Sequence, residues 1–412
     1  MNGTASVSEV IERRGTSDLA WMVSGNLCQA LAQWGYLVVT TKLAGVEGAG
    51  RYAYANAICT QVVLLTGLHL RSLQGSDTRM DFPFAAYFTL RAATAAVSVG
   101  VMAAAAWLHR ANAELLWLIA FVGLTRVVES LIETSYGQMQ RARRLDAVGR
   151  SLLARGVVSL VSFWVVLERT GSLPLAALAA AAVAAVAMAF HDFPLVRGER
   201  FFTSDGAQVR RLFRQARSLG MTSFLSALQI NLPRYLVRGT LGDSALGIYA
   251  ALAQLPLSAA IFVRSMGDAA LPRFARWYQV EQRAGHPGLI YRMLAGVALL
   301  FVGGGALALA AGEQILSLLY TPAHAGFVGL LLVLIAAELP SQATAVLGGA
   351  ATASRRLRLQ PLAVGVPVAF LAVAGWQAIE WRGLWGLALA VGVANALMLG
   401  GYALLLRREA DA

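Results

Sequence analysis

The sequence predicts an all-α polytopic membrane protein of about twelve transmembrane helices in two six-helix bundles. Three observations carry this expectation. The 412 residues are 58% hydrophobic and only 14% charged, with a mean hydropathy of +0.61, whereas an average soluble domain carries about 25% charge. Apolar runs recur roughly every 30 residues from end to end, and no stretch is polar enough for a separate globular domain, which excludes a soluble enzyme on a membrane anchor. The second half of the chain also echoes the first at an offset of about 200 residues, the mark of an internal duplication.

A span needs about 20 mostly apolar residues to cross the hydrocarbon core. Residues 1–18 are polar, hold Glu9, Glu12, Arg13 and Arg14, and lack the apolar core and cleavage site of a signal peptide, so a cytoplasmic tail is expected. Spans 19–41, 52–70, 84–108, 115–135, 151–168 and 172–193 then form an N-terminal lobe, 19–193. The first carries a polar stripe, Asn26, Gln29 and Gln33 at i, i+3 and i+7, followed by Trp34. Amides beside an aromatic suit sugar binding and serve equally as polar glue between helices. Arg91 in 84–108 and Arg155 in 151–168 lie within about three turns of the expected cytoplasmic end, where an arginine either lines a cavity or snorkels. Arg126 in 115–135 lies deeper, roughly 17 Å from the outer end, and shares one helix face with Glu129 and Glu133. Three charges on a lipid-facing stripe are untenable, so this face looks at protein or water, as a buried ion pair or as a cavity lining. The run Ala176–Ala189 gives span 172–193 a smooth surface for close packing.

The longest hydrophilic connection, 194–217, separates this lobe from a second, 218–406, with spans 218–237, 245–271, 293–311, 325–350, 359–379 and 383–406 and a short tail, 407–412. Arg234 follows Pro233, which removes a backbone hydrogen bond and marks a hinge in its helix, and the arginine there either lines a cavity or snorkels to the outer interface. Arg264 also lies within about three turns of the expected cytoplasmic end, where it either lines a cavity or snorkels, and has Asp268 one turn on at i,i+4 spacing. The run Gly303-Gly304-Gly305 reads as a close-packing position. Glu338 stands near mid-membrane, two residues before Pro340, a second hinge candidate. A carboxyl there either carries a coupling ion, H+ or Na+, or stays protonated and bonded to a neighbouring helix. Glu129, Glu133 and Asp268 join Glu338 as candidates for ion coupling or charge pairing. Trp107, Trp117, Trp381 and Trp385 near span ends read as interface anchors.

The formal charge of +12 comes from one lysine and 33 arginines that cluster between the apolar runs rather than in one patch. Alternate loops hold 23 of these basic residues and the opposite loops 6, which predicts both termini in the cytoplasm and an even number of spans. The basic balance is therefore topological, and no nucleic-acid partner is expected. Cys28 and Cys59 sit inside apolar runs without metal-ligand spacing. No G-x-x-x-x-G-K-[ST] loop or H-E-x-x-H pair occurs, so neither a metal, a cofactor nor an enzymatic activity is expected.

Two echoes define the duplication. Tyr36-Leu37-Val38, then Leu43 and Gly50-Arg51-Tyr52-Ala53, match Tyr235-Leu236-Val237, then Leu241 and Gly247-Ile248-Tyr249-Ala250. Gly137 with Arg143-Arg144-Leu145 matches Gly349 with Arg355-Arg356-Leu357. Repeats of an even number of spans run parallel, related by an axis along the membrane normal.

The run Glu129 to Asp146, with Tyr136-Gly137, Gln140-Arg141 and Arg143-Arg144, followed by Ser151 and Arg155-Gly156, resembles the fourth-to-fifth-helix region of bacterial Wzx-type polysaccharide flippases. Asn231-Leu232-Pro233-Arg234-Tyr235, with Leu241-Gly242 and Gly247-Ile248-Tyr249, resembles their seventh helix. These proteins share a superfamily with the peptidoglycan-precursor flippase and the multidrug MATE exporters. The resemblance implies two bundles about a central cavity, alternating access, and a substrate that is an oligosaccharide linked through pyrophosphate to a polyprenyl lipid. It also implies a cell-membrane location, contact with membrane lipid, and work beside a polymerase and other polysaccharide-assembly proteins.

Arginine suits pyrophosphate because its planar fork gives bidentate bonds to phosphate oxygens. Arg126 and Arg234, one from each lobe, are the leading head-group residues, with Arg155, Arg264, Arg91, Asn26, Gln29 and Gln33 as further cavity candidates. An ion-coupled exporter of small organic cations is the nearest alternative and wants an unpaired acid in the first lobe's cavity; the first span has none. A membrane-embedded polymerase or ligase wants a large charged outer loop, whereas the longest, roughly Gly312 to His324, holds only Glu313.

Overall fold

A computed structural model describes residues 7–77, 80–260, 262–263, 266–267, 270, 287–353 and 360–407. Arg264 and Asp268 fall outside the described residues. Helix accounts for 91% of what is described, with no strand. The helices are α1 (Val7–Leu43), α2 (Gly45–Gly67), α3 (Leu70–Ser76), α4 (Phe84–Leu108), α5 (Ala113–Arg141), α6 (Leu145–Thr170), α7 (Leu173–Ala187), α8 (Gly206–Ser258), α9 (Pro287–Leu319), α10 (Pro322–Ala325), α11 (Val328–Ala353) and α12 (Gln360–Arg407). Seven helices among the described residues are long and apolar enough to cross a membrane, or eight if the bent pair α2–α3 is one span. With so much apolar surface turned outward, this is a multi-pass membrane protein.

Local sequence explains where the helices stop and bend. Asn112 caps α5 and Ser172 caps α7, each accepting a bond from the backbone N–H three residues on. α8 runs through Pro233 and breaks instead at Gly242, whose φ of 84° and ψ of −176° only glycine adopts readily. α12 breaks at Arg382–Gly383 in the same manner, with Gly383 at φ 57°. Pro340 lies inside α11, where the Thr344 hydroxyl donates to the Pro340 carbonyl at 2.8 Å.

The chain divides into two compact units, Met1–Val39 with Ala55–Ser223, and Thr40–Tyr54 with Phe224–Ala412. In the first, α7 presents Ala176, Ala177, Ala180, Ala181 and Ala184 as a buried stripe, so the alanine run packs as its composition leads one to expect. α1 crosses α6 at Gly25 and Gly149, where a Cβ on either would collide with the other helix's backbone. Phe84, Phe88, Ile132, Tyr136 and Val148 belong to one of its core clusters.

In the second unit the α1–α2 hairpin packs on the break of α8. A Cβ on Gly50 would strike the Asp243 carbonyl, and one on Gly247 would strike the Val46 carbonyl. The glycine of each Gly-x-Tyr-Ala segment thus packs against the backbone of the hairpin that precedes the other segment. Arg51 pairs with Glu47 and lies 3.6 Å from Asp243. Arg238 donates to Asp243 at 2.7 Å and stacks 3.8 Å over the Tyr54 ring. Clusters about Val297, Phe301 and Val346, and about Leu347, Val368 and Tyr402, form this unit's core.

One expectation is corrected. A Cβ added to Gly303, Gly304 or Gly305 would meet nothing within 4 Å, so these glycines face open space rather than a packed neighbour. The interface tryptophans are exposed, and Arg110 and Arg382 lie over Trp107 and Trp381 at 4.0 and 4.5 Å.

Candidate functional site

The first unit gathers its charges around α5. Arg126 donates to Glu129 at 2.8 Å and to the Asn56 side chain at 2.7 Å. From α6, Arg155 approaches Glu129 at 3.6 Å, and from α1 the Gln29 amide donates to it at 3.4 Å. Arg91 of α4 lies 3.8 Å from Glu133. Burial in apolar helices makes this pairing necessary, because an isolated charge there is expensive. Glu129 is shared by two arginines, so the cluster keeps a positive surplus, and the Nε groups of Arg91 and Arg155 meet no acceptor among the described residues. Asn26 and Gln33 remain exposed, while Gln29 is half-buried against Glu129.

Deeper in the same unit, Ser151 donates to the fully buried Asp192 at 2.6 Å and meets the Tyr136 hydroxyl at 2.7 Å. Arg71 and Arg155 lie 5.2 and 6.0 Å over the Tyr136 ring. A turn of π-helix, Met188–Asp192, ends α7 and delivers Asp192 to this point. Sequence reasoning passes over Asp192 and Arg71 because each sits at a helix end, where a charge ordinarily means solvent.

Glu129 is the hub of the cluster, so Glu129→Gln leaves two arginines without their shared carboxylate. We expect a loss of about 3 kcal/mol of stability, visible as a lowered melting temperature in detergent. An unchanged melting temperature contradicts the hub.

The second unit holds a cavity of about 150 Å³ between α8, α11 and α12. Arg234, Gln229 and Tyr249 line it from the two halves of α8, Glu338 and Ser341 from α11, and Asn395 from α12. Gln229 donates to Asn395 at 2.8 Å, Asn395 donates to the Ala337 carbonyl at 2.8 Å, and Gln342 donates to Glu338 at 2.8 Å. Arg234 donates to the Asn231 side chain at 2.9 Å. Its Nε meets no acceptor and the Gln229 Oε1 no donor among the described residues. Arg234 and Glu338 share the cavity without forming an ion pair. A half-buried guanidinium and an orphan amide oxygen in the lining of one cavity suit a ligand that brings an oxyanion and a hydroxyl together.

Arg234 and Glu338 thus meet in one cavity, where sequence alone treats them as separate features. Asn395 and Gln229 escape the sequence reading, although Asn395 breaks an otherwise apolar run in the last span, a signal of the right kind. No group of three or more His, Cys, Asp or Glu side chains among the described residues is arranged to hold a metal ion.

Known proteins match this architecture. The lipid II flippase MurJ in its inward closed conformation superposes with a TM-score of 0.71 at 10% identity, over 93% of this chain and 86% of that one. The Vibrio cholerae MATE transporter VcmN in its bent form gives a TM-score of 0.60 at 13% identity, over 96% and 98%. At these identities the likeness shows the fold alone. The capsular polysaccharide biosynthesis protein CapF of Staphylococcus aureus is 23% identical over 307 residues, 73% of this chain and 76% of CapF. The model of the polysaccharide biosynthesis protein family matches residues 16–277. That match takes in both sequence runs on which the flippase resemblance rests, and the chain belongs to the polysaccharide biosynthesis protein family.

Proposed function

We propose that this protein moves a saccharide linked through pyrophosphate to a polyprenyl lipid from the cytoplasmic to the outer leaflet by alternating access, for surface or exopolysaccharide assembly. One observation carries the reading: arginines set in apolar helices keep N–H groups that no protein acceptor meets among the described residues, at Arg91, Arg155 and Arg234. A buried unmet donor is costly, and an anionic ligand that satisfies it recovers that cost. A lipid-linked saccharide has a polar head that cannot cross about 30 Å of hydrocarbon unaided. Its pyrophosphate matches the arginine fork and its hydroxyls match the Gln229 oxygen, while its polyprenyl tail stays in lipid. An exporter of organic cations fits less well, because Glu129 and Glu133 each face an arginine. The protein acts as a carrier, without a catalytic residue, beside the polymerase that uses the flipped unit.

Deleting the gene and assaying lipid-linked intermediates tests this directly. The reading expects a pyrophosphate-linked saccharide to accumulate on the cytoplasmic leaflet; an unchanged pool sinks it. The same reading places the cell-membrane protein with both termini in the cytoplasm and Gly206, an exposed position at the start of α8, on the inner side. A cysteine at Gly206 in a Cys28→Ser, Cys59→Ala background should resist an impermeant maleimide in intact cells. Efficient labelling there overturns the orientation.

A further inference from the structure

Arg234 and Glu338 face one cavity of about 150 Å³ and are not ion-paired, an arrangement the mere presence of both charges does not require. Two opposite charges buried in so small a space ordinarily close into a pair. Here the guanidinium turns one N–H to Asn231, and the carboxyl accepts from Gln342 and Ser341 on its own helix and from Asn395 of α12. Tyr249 is the other titratable group among the described lining residues. α12 contributes Asn395, Val391 and Met398 and no charge. On the far side of α11, Ile335 and Leu339 pack against the apolar cluster of Val297 and Phe301. The electrostatics of the cavity are therefore those of one arginine, one carboxyl and whatever enters.

An oxyanion that reaches Arg234 meets Glu338 within the same low-dielectric space. With Glu338 ionised, the two anions repel, and the carboxylate also screens the arginine that draws the ligand in. With Glu338 protonated, the repulsion vanishes and the carboxyl gains an O–H donor for a ligand oxygen. We propose that the cavity binds its phosphoryl oxyanion together with one proton on Glu338, so that anion loading and protonation are thermodynamically linked at this site. The inference rests on the head-group reading above and adds the coupling ion and the residue that holds it. Because linkage is reciprocal, an anion at Arg234 favours protonation of Glu338, and loss of that proton favours release. No bond is made or broken in the ligand; one proton enters with the anion and leaves with it.

The test uses the purified full-length protein in detergent with inorganic pyrophosphate as probe, titrated by calorimetry between pH 6 and pH 8. Pyrophosphate itself titrates in this range, so wild type is compared with Glu338→Gln at each pH, which cancels the ligand's contribution. Glutamine keeps an oxygen to accept from Gln342. The proposal expects wild-type affinity, relative to Glu338→Gln, to fall at least tenfold from pH 6 to pH 8. Repeating the wild-type titration in two buffers of different ionisation enthalpy counts protons directly and needs no variant; wild type should take up close to one more proton than the ligand's own ionisation accounts for. Parallel pH dependence in the two proteins, or no excess proton uptake, overturns the linkage and leaves the head-group reading standing. Binding that is unaffected by Arg234→Gln, or no pyrophosphate binding by wild type, overturns both.

Discussion

Arg234→Ala should reduce head-group affinity by roughly ten- to hundredfold, the equivalent of about 1.5–3 kcal/mol for a charged, bidentate hydrogen-bonding partner in a partly desolvated site. Arg234 is the one cation among the described residues lining the second unit's cavity, and its Nε has no other acceptor there. Its removal therefore takes away a binding contact without breaking an ion pair, and stability should change little. Arg234→Lys should restore the charge and only part of the affinity, because lysine lacks the planar fork. Polymer assembly in cells carrying each variant, with protein level checked, reads the outcome. Arg126→Ala makes an informative contrast. Arg126 is held by Glu129 and Asn56, so its loss should lower stability as well as transport. Full polymer assembly with Arg234→Ala at normal expression removes this residue from the mechanism.

Gly50→Leu and Gly247→Leu should each cost about 3 kcal/mol or more and leave little folded protein. Overpacking is tolerated where a flexible side chain can move aside, but at both positions the obstacle is a backbone carbonyl, of Asp243 and of Val46. The two helices must separate, and the Arg51–Asp243 ion pair and the stacking of Arg238 on Tyr54, which straddle the crossing, are lost with them. Gly100→Ala is the matched control: nothing lies within 4 Å of the added Cβ, and a helical Gly-to-Ala change should be neutral or stabilising by up to about 1 kcal/mol. Melting temperatures in detergent separate these cases. Equal melting temperatures for Gly247→Leu and Gly100→Ala contradict the packing account.

Much of the fold is legible because bilayer spanning imposes a simple code of apolar length and loop charge. The alanine stripe of α7 and the exposure of the tryptophans follow that code. The glycines show where it fails. Gly50 and Gly247 are readable as an echo between halves, yet only three dimensions show that each marks the place where the other's hairpin backbone passes. Gly303, Gly304 and Gly305 look more like a packing motif than either and face open space. Composition reports that a residue is small, not what stands opposite it.

The site is legible in its membership and not in its pairings. Depth along each span marks Arg91, Arg126, Arg155, Arg234 and Glu338, since charges in hydrocarbon are rare and need a reason. Which arginine meets which carboxylate depends on helix rotation and crossing angle, and these are tertiary quantities. Arg126–Glu129 is readable because both lie on one helix. Arg155–Glu129 and Arg91–Glu133 join different helices and are not. The cavity shared by Arg234 and Glu338 needs α8, α11 and α12 assembled before its orphan donor and acceptor can be recognised.

On the proposed function, this chain carries a lipid-linked saccharide across the bilayer through arginine contacts with its pyrophosphate. The most direct measurement reconstitutes the purified full-length protein in liposomes containing a polyprenyl-pyrophosphate-linked saccharide and follows exposure of the saccharide to a lectin added outside. Wild-type protein should expose the inner-leaflet pool faster than protein-free liposomes, and Arg234→Ala at equal reconstitution should approach the protein-free rate. Exposure by wild type no faster than by protein-free liposomes, with the protein verifiably folded and inserted, contradicts the account.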